Sequence, residues 1–239
     1  GADSAASVCE DAMGGMGCYW IWADTLVGEI FYNSSANAFN RNITAMPHNS
    51  LSTLTPAKRT PTFLDPRDSL KTSQGGFFTP DDFPSTYFWP INAALTDNHL
   101  IISMMRVSSH GFLNITTSSI SVVERGDLFV KKPQDFSSVN YDVPSGKMND
   151  YSCAILWTLG SFRQGSHLYF VGNVREKGML VLSRVSIAEI DSGVGNPLKS
   201  IEYLTNENWE KGEIEEIIHK LAPLLPITTP CSEGTLSHH

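Results

Sequence analysis

Short runs of aromatic and β-branched residues alternate with polar turns along most of the chain, which predicts antiparallel strands. Runs of this character begin near Cys18, Tyr87, Ser152 and Cys231, a spacing of roughly 65 to 80 residues. The spacing predicts a loose repeat in which each copy contains several strands. The fourth copy has only begun where the sequence ends at His239.

The predicted strands are short and bounded by Gly, Asn, Ser or Pro. The three repeats span about 18–55, 87–125 and 152–204, and a fourth begins at 231. The second repeat is predicted to contain separate strands at 112–117 and 120–125. The third shows the clearest pattern, with strands predicted at 153–159, 167–174, 179–187 and 200–204.

Two segments depart from this pattern. Residues 56–86 are rich in proline and contain four phenylalanines, which predicts an ordered surface excursion rather than a helix. Residues 213–225 have helical spacing, and Pro226 closes the segment; the apolar face comprises Ile214, Ile217, Ile218, Leu221 and Leu225. We therefore expect one short amphipathic helix in an otherwise all-β protein.

Repeats that each contain several antiparallel strands predict the blades of a β-propeller, which must close into a ring to protect its strand edges. Three blades and one further strand cannot close such a ring. The pattern therefore predicts the N-terminal part of a larger propeller, completed by a second polypeptide or a processed C-terminal half. Assembly into a fibre, in which an open edge pairs with a neighbouring subunit, is the alternative.

Composition limits the classes of partner. The 239 residues are 41% hydrophobic and 18% charged, which is ordinary for a globular protein. Seventeen Lys and Arg residues against 25 Asp and Glu give a net charge of -8, so nucleic acid and anionic membranes are poor partners. No run reaches the roughly 18 apolar residues of a membrane span. The start at Gly1 is expected to be a mature N-terminus exposed by processing.

Cysteines and glycosylation sequons favour an extracellular or cell-surface location. Cys9, Cys18, Cys153 and Cys231 lack the paired spacing of a zinc site, so disulfides are expected, and three connectivities are possible. Cys9 with Cys18 would close a short loop, and the other two occupy equivalent points of neighbouring repeats; four buried thiols are the alternative. Candidate glycosylation sites lie at Asn33, Asn42 and Asn114.

Several short motifs resemble a family of secreted five-bladed propellers related to arabinan-degrading and other furanoside-cleaving glycoside hydrolases. The opening run from Trp20 to Gly28, followed by residues 46–50, is similar to that family's first blade. Residues 87–92 with 100–102 resemble its second blade, and 167–172 with 182–185 resemble its third. Ser232 and Glu233 resemble the pair that opens the fourth blade.

The resemblance implies that acidic residues from successive blades converge at one mouth of the propeller, where a sugar can enter. Glycoside cleavage requires two carboxyl groups, one to protonate the leaving oxygen and one to activate water or attack the anomeric carbon. In this interpretation Asp24 is the base or nucleophile and Glu233 is the acid. The resemblance further assigns substrate binding to the side chains of Trp20, Trp22, Asn49, Trp89 and Asn92.

Two departures keep a non-catalytic function open. Ala23 replaces a glycine of the motif, and Asn92 stands where the second blade has an acid. Because an amide cannot transfer a proton at neutral pH, Asn92 favours a protein that binds glycans or assembles at the cell surface without hydrolysing them. Asp24 would then only cap its turn, and Glu233 would be an ordinary surface residue.

No metal or cofactor is expected to take part in catalysis. The acidic turns at 65–68 and 79–82 are turn-forming sequences first and structural Ca²⁺ ligands only secondarily. His238 and His239 are adjacent, so on a strand they would point to opposite faces, which argues against joint chelation.

Overall fold

The computed structural model describes residues 5–12, 15–55, 60–64, 76–110, 114–125, 134–136, 155–174, 179–193 and 195–226. The chain divides into two compact units, Gly1–Trp89 and Pro90–His239. Both units are built mainly of antiparallel strands, and none of the four sheets closes on itself within the described residues. The all-β prediction is therefore confirmed.

The first unit contains one four-stranded sheet and a separate hairpin. Its strands are β1 (Ala5–Ala12), β2 (Gly15–Trp22), β3 (Val27–Asn33), β4 (Ala38–Ala45), β5 (Ser50–Leu54) and β6 (Thr62–Leu64). The sheet has the order β1-β2-β5-β6, and β3 and β4 form a two-stranded sheet between β2 and β5 in sequence. The hairpin is thus an insertion in an otherwise up-and-down sheet.

Two local features fix the geometry of the first unit. Cys9 on β1 and Cys18 on β2 lie directly opposite each other and form a disulfide, one of the pairings open at the sequence level. Gly28 begins the regular pairing of β3 with β4, and a Cβ at this position would lie 2.0 Å from the backbone oxygen of Asn42. Only glycine permits this approach of the two strands.

The second unit contains two up-and-down sheets. The first has the order β10-β9-β8-β7, from β7 (Thr86–Leu95, which begins in the first unit), β8 (His99–Ser108), β9 (Asn114–Glu124) and β10 (Gln134–Asp135). The second runs in order from β11 (Ile155–Gln164) through β12 (His167–Val174), β13 (Met179–Ser186) and β14 (Glu202–Leu204) to β15 (Trp209–Lys211). The short strand β16 (Leu225–Pro226) pairs with β13.

Helices are few and short among the described residues. The helix α1 (Ile187–Ser192) follows β13, a 3₁₀ turn spans Pro197–Ser200, and α2 (Ile214–Ile217) follows β15. No helix in the described part of the chain has the length and apolar character needed to cross a membrane.

Aromatic residues fill the core of the second unit. Trp157 lies between Phe136 and Tyr203, with ring centroids 6.1 Å and 5.4 Å away, and Phe170 meets Phe136 edge to face at 5.3 Å. Gly172 on β12 provides the space beside Trp157, because a Cβ there would lie 2.6 Å from the indole Cε3. The core is therefore shaped around a large buried indole.

The strands of the third repeat agree with the sequence pattern, and β12 has the predicted bounds. In the second repeat, where two strands were predicted at 112–117 and 120–125, one continuous strand, β9, spans Asn114–Glu124. The sequence pattern did not predict β1, β4, β10, β15, β16 or α1. The proline-rich excursion contributes β6 to the first sheet, where it pairs with β5.

The helix predicted over 213–225 was too long. Only Ile214–Ile217 is α-helical, and Leu221 instead forms a β-bridge with Thr205. Beyond it, the backbone amide of Ala222 donates to Leu204, and the chain continues into β16. Pro223 disfavours helical geometry in the residue before it, so pairing with the sheet replaces the remaining helix.

Candidate functional site

Asp24 lies in the bend that follows β2. The bend is fixed by Thr25, whose backbone amide donates to the Pro47 carbonyl at 2.9 Å. The buried Thr25 hydroxyl donates to the Ala23 carbonyl at 2.9 Å and lies 2.7 Å from the Ser50 hydroxyl. Because the single Thr25 hydroxyl proton is used for Ala23, Ser50 is the donor in the second contact. The backbone beneath Asp24 is thereby held in place.

The Asp24 carboxylate is hydrogen-bonded to His48, with 3.0 Å between Oδ1 and Nδ1. The two side chains are 28% and 23% exposed, so the pair is accessible without being fully solvated. Tyr87 stacks on the His48 imidazole, with ring centroids 3.9 Å apart and an interplanar angle of 16°. Burial, and secondarily the negative charge of Asp24, raise the pKa of the Tyr87 phenol above its usual range.

This arrangement defines which atoms are free for chemistry. A carboxylate only accepts hydrogen bonds, so the contact places a proton on His48 Nδ1. Asp24 Oδ2 has no hydrogen bond among the described residues. The carboxylate is therefore oriented through one oxygen while the other can approach a ligand, and stacking against Tyr87 holds the imidazole in position.

The tryptophans predicted to bind substrate lie on β2, two and four residues before Asp24. Their rings stack on each other, with 5.6 Å between the centroids of Trp20 and Trp22. Trp22 Nε1 donates to Ser52 at 2.9 Å, and the same ring lies 6.3 Å from Phe63. Trp20 Nε1 is buried and has no hydrogen-bond partner in the described structure. Trp20 and Trp22 form an aromatic strip on β2, the strand that ends two residues before Asp24.

Asn49 has a structural position. It is 1% exposed, and its amide nitrogen donates to the carbonyls of Phe78 and Phe88, each at 2.9 Å. Its side-chain oxygen accepts from the Phe78 amide at 2.7 Å. Both amide protons are engaged by backbone, so a direct contact of Asn49 with a ligand would require these bonds to break. The amide joins the segment after Gly76 to strand β7.

The remaining predicted site residues are Trp89, Asn92 and Glu233. Trp89 ends the first unit, half-buried, with an indole nitrogen that is buried and unpartnered among the described residues. Asn92 lies in the second unit, where it is buried and accepts a hydrogen bond from Ser161 at 3.3 Å. Glu233, the predicted acid, lies outside the described residues, and so do Cys153 and Cys231.

His48 and Tyr87 were missed as site residues. The histidine and the tyrosine lie 24 and 63 positions after Asp24, a spacing that predicts no shared site. Only the fold brings them together. One signal was present in the sequence: Asp24, His48 and Tyr87 all lie in the motifs of the first two repeats.

Metal ligation finds no support in the part of the chain that the structure describes, where no three His, Cys, Asp or Glu side chains converge. Asp82 accepts a hydrogen bond from Thr86 at 2.5 Å, as expected for turn chemistry. Asp65 and Asp68 lie outside the described residues.

Comparisons with known proteins give one likeness of fold. No family model matches the chain, and no curated protein matches its sequence. Among solved structures, the chain is similar to a "putative hydrolase" from Bacteroides ovatus ATCC 8483, with a TM-score of 0.51 and 12% sequence identity. The match covers 85% of this chain and 52% of that protein, so the chain spans about half the length of the protein it matches. At this identity, the likeness concerns the fold alone.

Proposed function

We propose that the chain is part of a secreted, carbohydrate-active β-propeller, a glycoside hydrolase-like protein that cleaves or binds extracellular polysaccharide. The observation that carries the proposal is the hydrogen bond between Asp24 and His48, which holds one oxygen of a partly exposed carboxylate and leaves the other without a hydrogen bond in the described structure. Asp24 follows the aromatic strip of Trp20 and Trp22 on β2. A carboxylate on the same segment as aromatic side chains suits sugar recognition, and cleavage requires a second carboxyl group as well.

The sheet order supports a propeller. Apart from the β3–β4 insertion and β16, strands that are consecutive in sequence are neighbours in each of the three larger sheets, which is the order found in propeller blades. In the five-bladed form proposed here, further blades come from a second polypeptide or a processed C-terminal half. The designation of the Bacteroides ovatus protein as a hydrolase is consistent with this class.

In the catalytic form of the proposal, Asp24 acts as general base or nucleophile. His48 orients Oδ1, and Oδ2 contacts either a water molecule or the anomeric carbon. Glu233 is proposed as the acid that protonates the leaving oxygen. Trp20 and Trp22 are proposed to line the approach for the sugar ring, whose apolar face packs on aromatic side chains.

The test is release of reducing sugar by the full protein from a panel of plant, algal and mycobacterial polysaccharides. Asp24→Asn keeps the size of the side chain and removes its charge, so turnover should fall about 100- to 10,000-fold, the contribution of a positioned acid or base. Glu29→Gln removes an exposed carboxylate from the hairpin of the same unit and serves as the matched control. Unchanged turnover in Asp24→Asn would refute the assignment of Asp24.

A second candidate, non-catalytic glycan binding, is favoured by Asn92. This residue stands at the position where the resembling motif has an acid, and its side-chain oxygen is engaged by Ser161. An amide there cannot donate a proton in catalysis but can take part in a shaped polar pocket. Binding of a polysaccharide without release of reducing sugar, lost in Asp24→Asn, would distinguish this function from hydrolysis.

A further inference from the structure

The β3–β4 hairpin has two faces of different character. It pairs with no other strand in the described structure. The register places Glu29 opposite Asn42, Phe31 opposite Asn40 and Asn33 opposite Ala38. Opposite residues, and residues two apart on one strand, share a face of a sheet. Both sequon asparagines of the hairpin therefore lie on the same face as Phe31.

The opposite face is mainly apolar, with Arg41 as its charged residue, and contains its own aromatic pair. Tyr32 and Phe39 meet edge to face with centroids 5.4 Å apart. The exposed apolar side chains of this face are Ile30, Tyr32, Phe39 and Ile43. A glycan attached at either sequon would thus begin on the polar face of the hairpin.

Phe31 is the exception on the polar face. Its side chain is 48% exposed, and it takes part in none of the ring contacts among the described residues. It lies two residues before Asn33 on β3, so the two Cα atoms are separated by roughly 6.6 Å along the strand. A group attached to the Asn33 amide would therefore begin within reach of the Phe31 ring.

Asn33 is oriented by the turn that follows it. Its Oδ1 accepts hydrogen bonds from the backbone amides of Ser35 at 3.0 Å and Ala36 at 3.3 Å. Its Nδ2 makes no hydrogen bond within the described residues. The oxygen is thus directed back to the turn, and the nitrogen, the atom to which an N-linked sugar attaches, is left available.

We propose that Asn33 carries an N-linked glycan whose first N-acetylglucosamine packs on the ring of Phe31. The proposal rests on the extracellular location in the proposed function. A bond forms between Nδ2 and the sugar C1 while the bond from C1 to the pyrophosphate of a lipid-linked donor breaks, and the amide proton and the lipid pyrophosphate leave. The C–H face of the sugar then covers the electron-rich face of the phenyl ring.

The experiment expresses the full chain behind a secretion signal in eukaryotic cells and locates glycans by mass spectrometry of glycopeptides. Amide hydrogen exchange across residues 27–45 is compared for the intact glycoprotein, the form trimmed to one N-acetylglucosamine, and Ser35→Ala, which lacks the Asn33 sequon but keeps the asparagine. We expect the backbone amides of the hairpin to stay equally protected from exchange after trimming, and their protection to fall severalfold in Ser35→Ala.

Variants on the two faces separate the contact from general stability of the hairpin. In Phe31→Ala the protection should no longer depend on the sugar, whereas Phe39→Ala, on the opposite face, should retain that dependence. If Phe31→Ala unfolds the hairpin, Phe31→Leu provides an apolar side chain without a ring face. An unmodified Asn33, or equal dependence on the sugar with and without the Phe31 ring, overturns the proposal. The secretion signal is supplied in this experiment, so its result does not depend on whether the protein acts on polysaccharide.

Discussion

Gly172 offers the sharpest test of the packing in the second unit. An added Cβ would lie 2.6 Å and 2.8 Å from Cε3 and Cζ3 of Trp157, and 2.9 Å from Cγ2 of Ile155. Carbon atoms in a well-packed core are in contact at about 3.5–4.0 Å, so the added methyl must displace the indole by nearly an ångström. Trp157 is 1% exposed and touches both Phe136 and Tyr203, which leaves it little freedom to move.

We therefore expect Gly172→Ala to lower the free energy of unfolding by about 1–3 kcal/mol, the usual cost of overpacking. For a chain of this size, that corresponds to a fall in Tm of about 2–12 °C. Urea denaturation followed by tryptophan fluorescence measures the first quantity, and calorimetry measures the second.

The matched control is Gly17→Ala on β2, where an added Cβ meets nothing within 4 Å. The free energy of unfolding of this variant should lie within about 0.5 kcal/mol of the wild-type value. Replacing Trp157 by Phe in the Gly172→Ala background should recover part of the loss, because the smaller ring vacates the space that the methyl needs. Equal stability of Gly172→Ala and the wild type would refute the described approach of β12 to Trp157.

Four further changes have defined outcomes. Asn49→Ala should destabilise by about 2–4 kcal/mol in urea denaturation, because buried backbone groups lose their partners; Asn49→Asp should not restore stability if both amide protons are needed. Replacing Cys9 and Cys18 by serine should lower the free energy of unfolding by up to about 2.7 kcal/mol, the value for a loop this short. A reductant should lower the Tm of the wild type but leave the Tm of the double variant unchanged. Ser183→Ala should be neutral or stabilise by up to about 1 kcal/mol, because its buried hydroxyl has no partner in the described structure; a large loss would reveal one. Because the pKa of Tyr87 is raised in the folded state, the protonated phenol contributes to the free energy of unfolding below pH about 10, and this contribution is lost as the pH rises further. If the free energy of unfolding falls equally steeply above this pH in Tyr87→Phe, the assignment is contradicted.

The sequence predicted the strands best where pattern and pairing agree. The strand β12 was predicted at its observed bounds because its apolar run begins directly after a tight turn containing Gly165, whose positive φ of 57° suits glycine. The segment 213–225 shows the opposite case. Its helical periodicity is real, but pairing of Leu221 with Thr205 gives the backbone a different set of hydrogen bonds. Periodicity cannot report such tertiary competition.

The candidate site was predicted only in part for a similar reason. Asp24 could be identified from a local motif, but its hydrogen bond with His48 and the stacking of Tyr87 on that histidine depend on chain segments that meet only in the fold. Asn49 belongs to the same motif, yet its burial and backbone hydrogen bonds give it a structural position that no local pattern indicates. Residue type suggested chemistry, and the surrounding contacts determined which residues are free to perform it.

The central claim, that the Asp24 carboxylate recognises a sugar, is tested most directly by binding of the full protein to an array of immobilised glycans. The account predicts that the wild type retains a defined class of neutral glycan, that Glu29→Gln retains the same class, and that Asp24→Asn loses it while remaining folded by circular dichroism. Absence of binding by the wild type, or identical binding by wild type and Asp24→Asn, would contradict the claim.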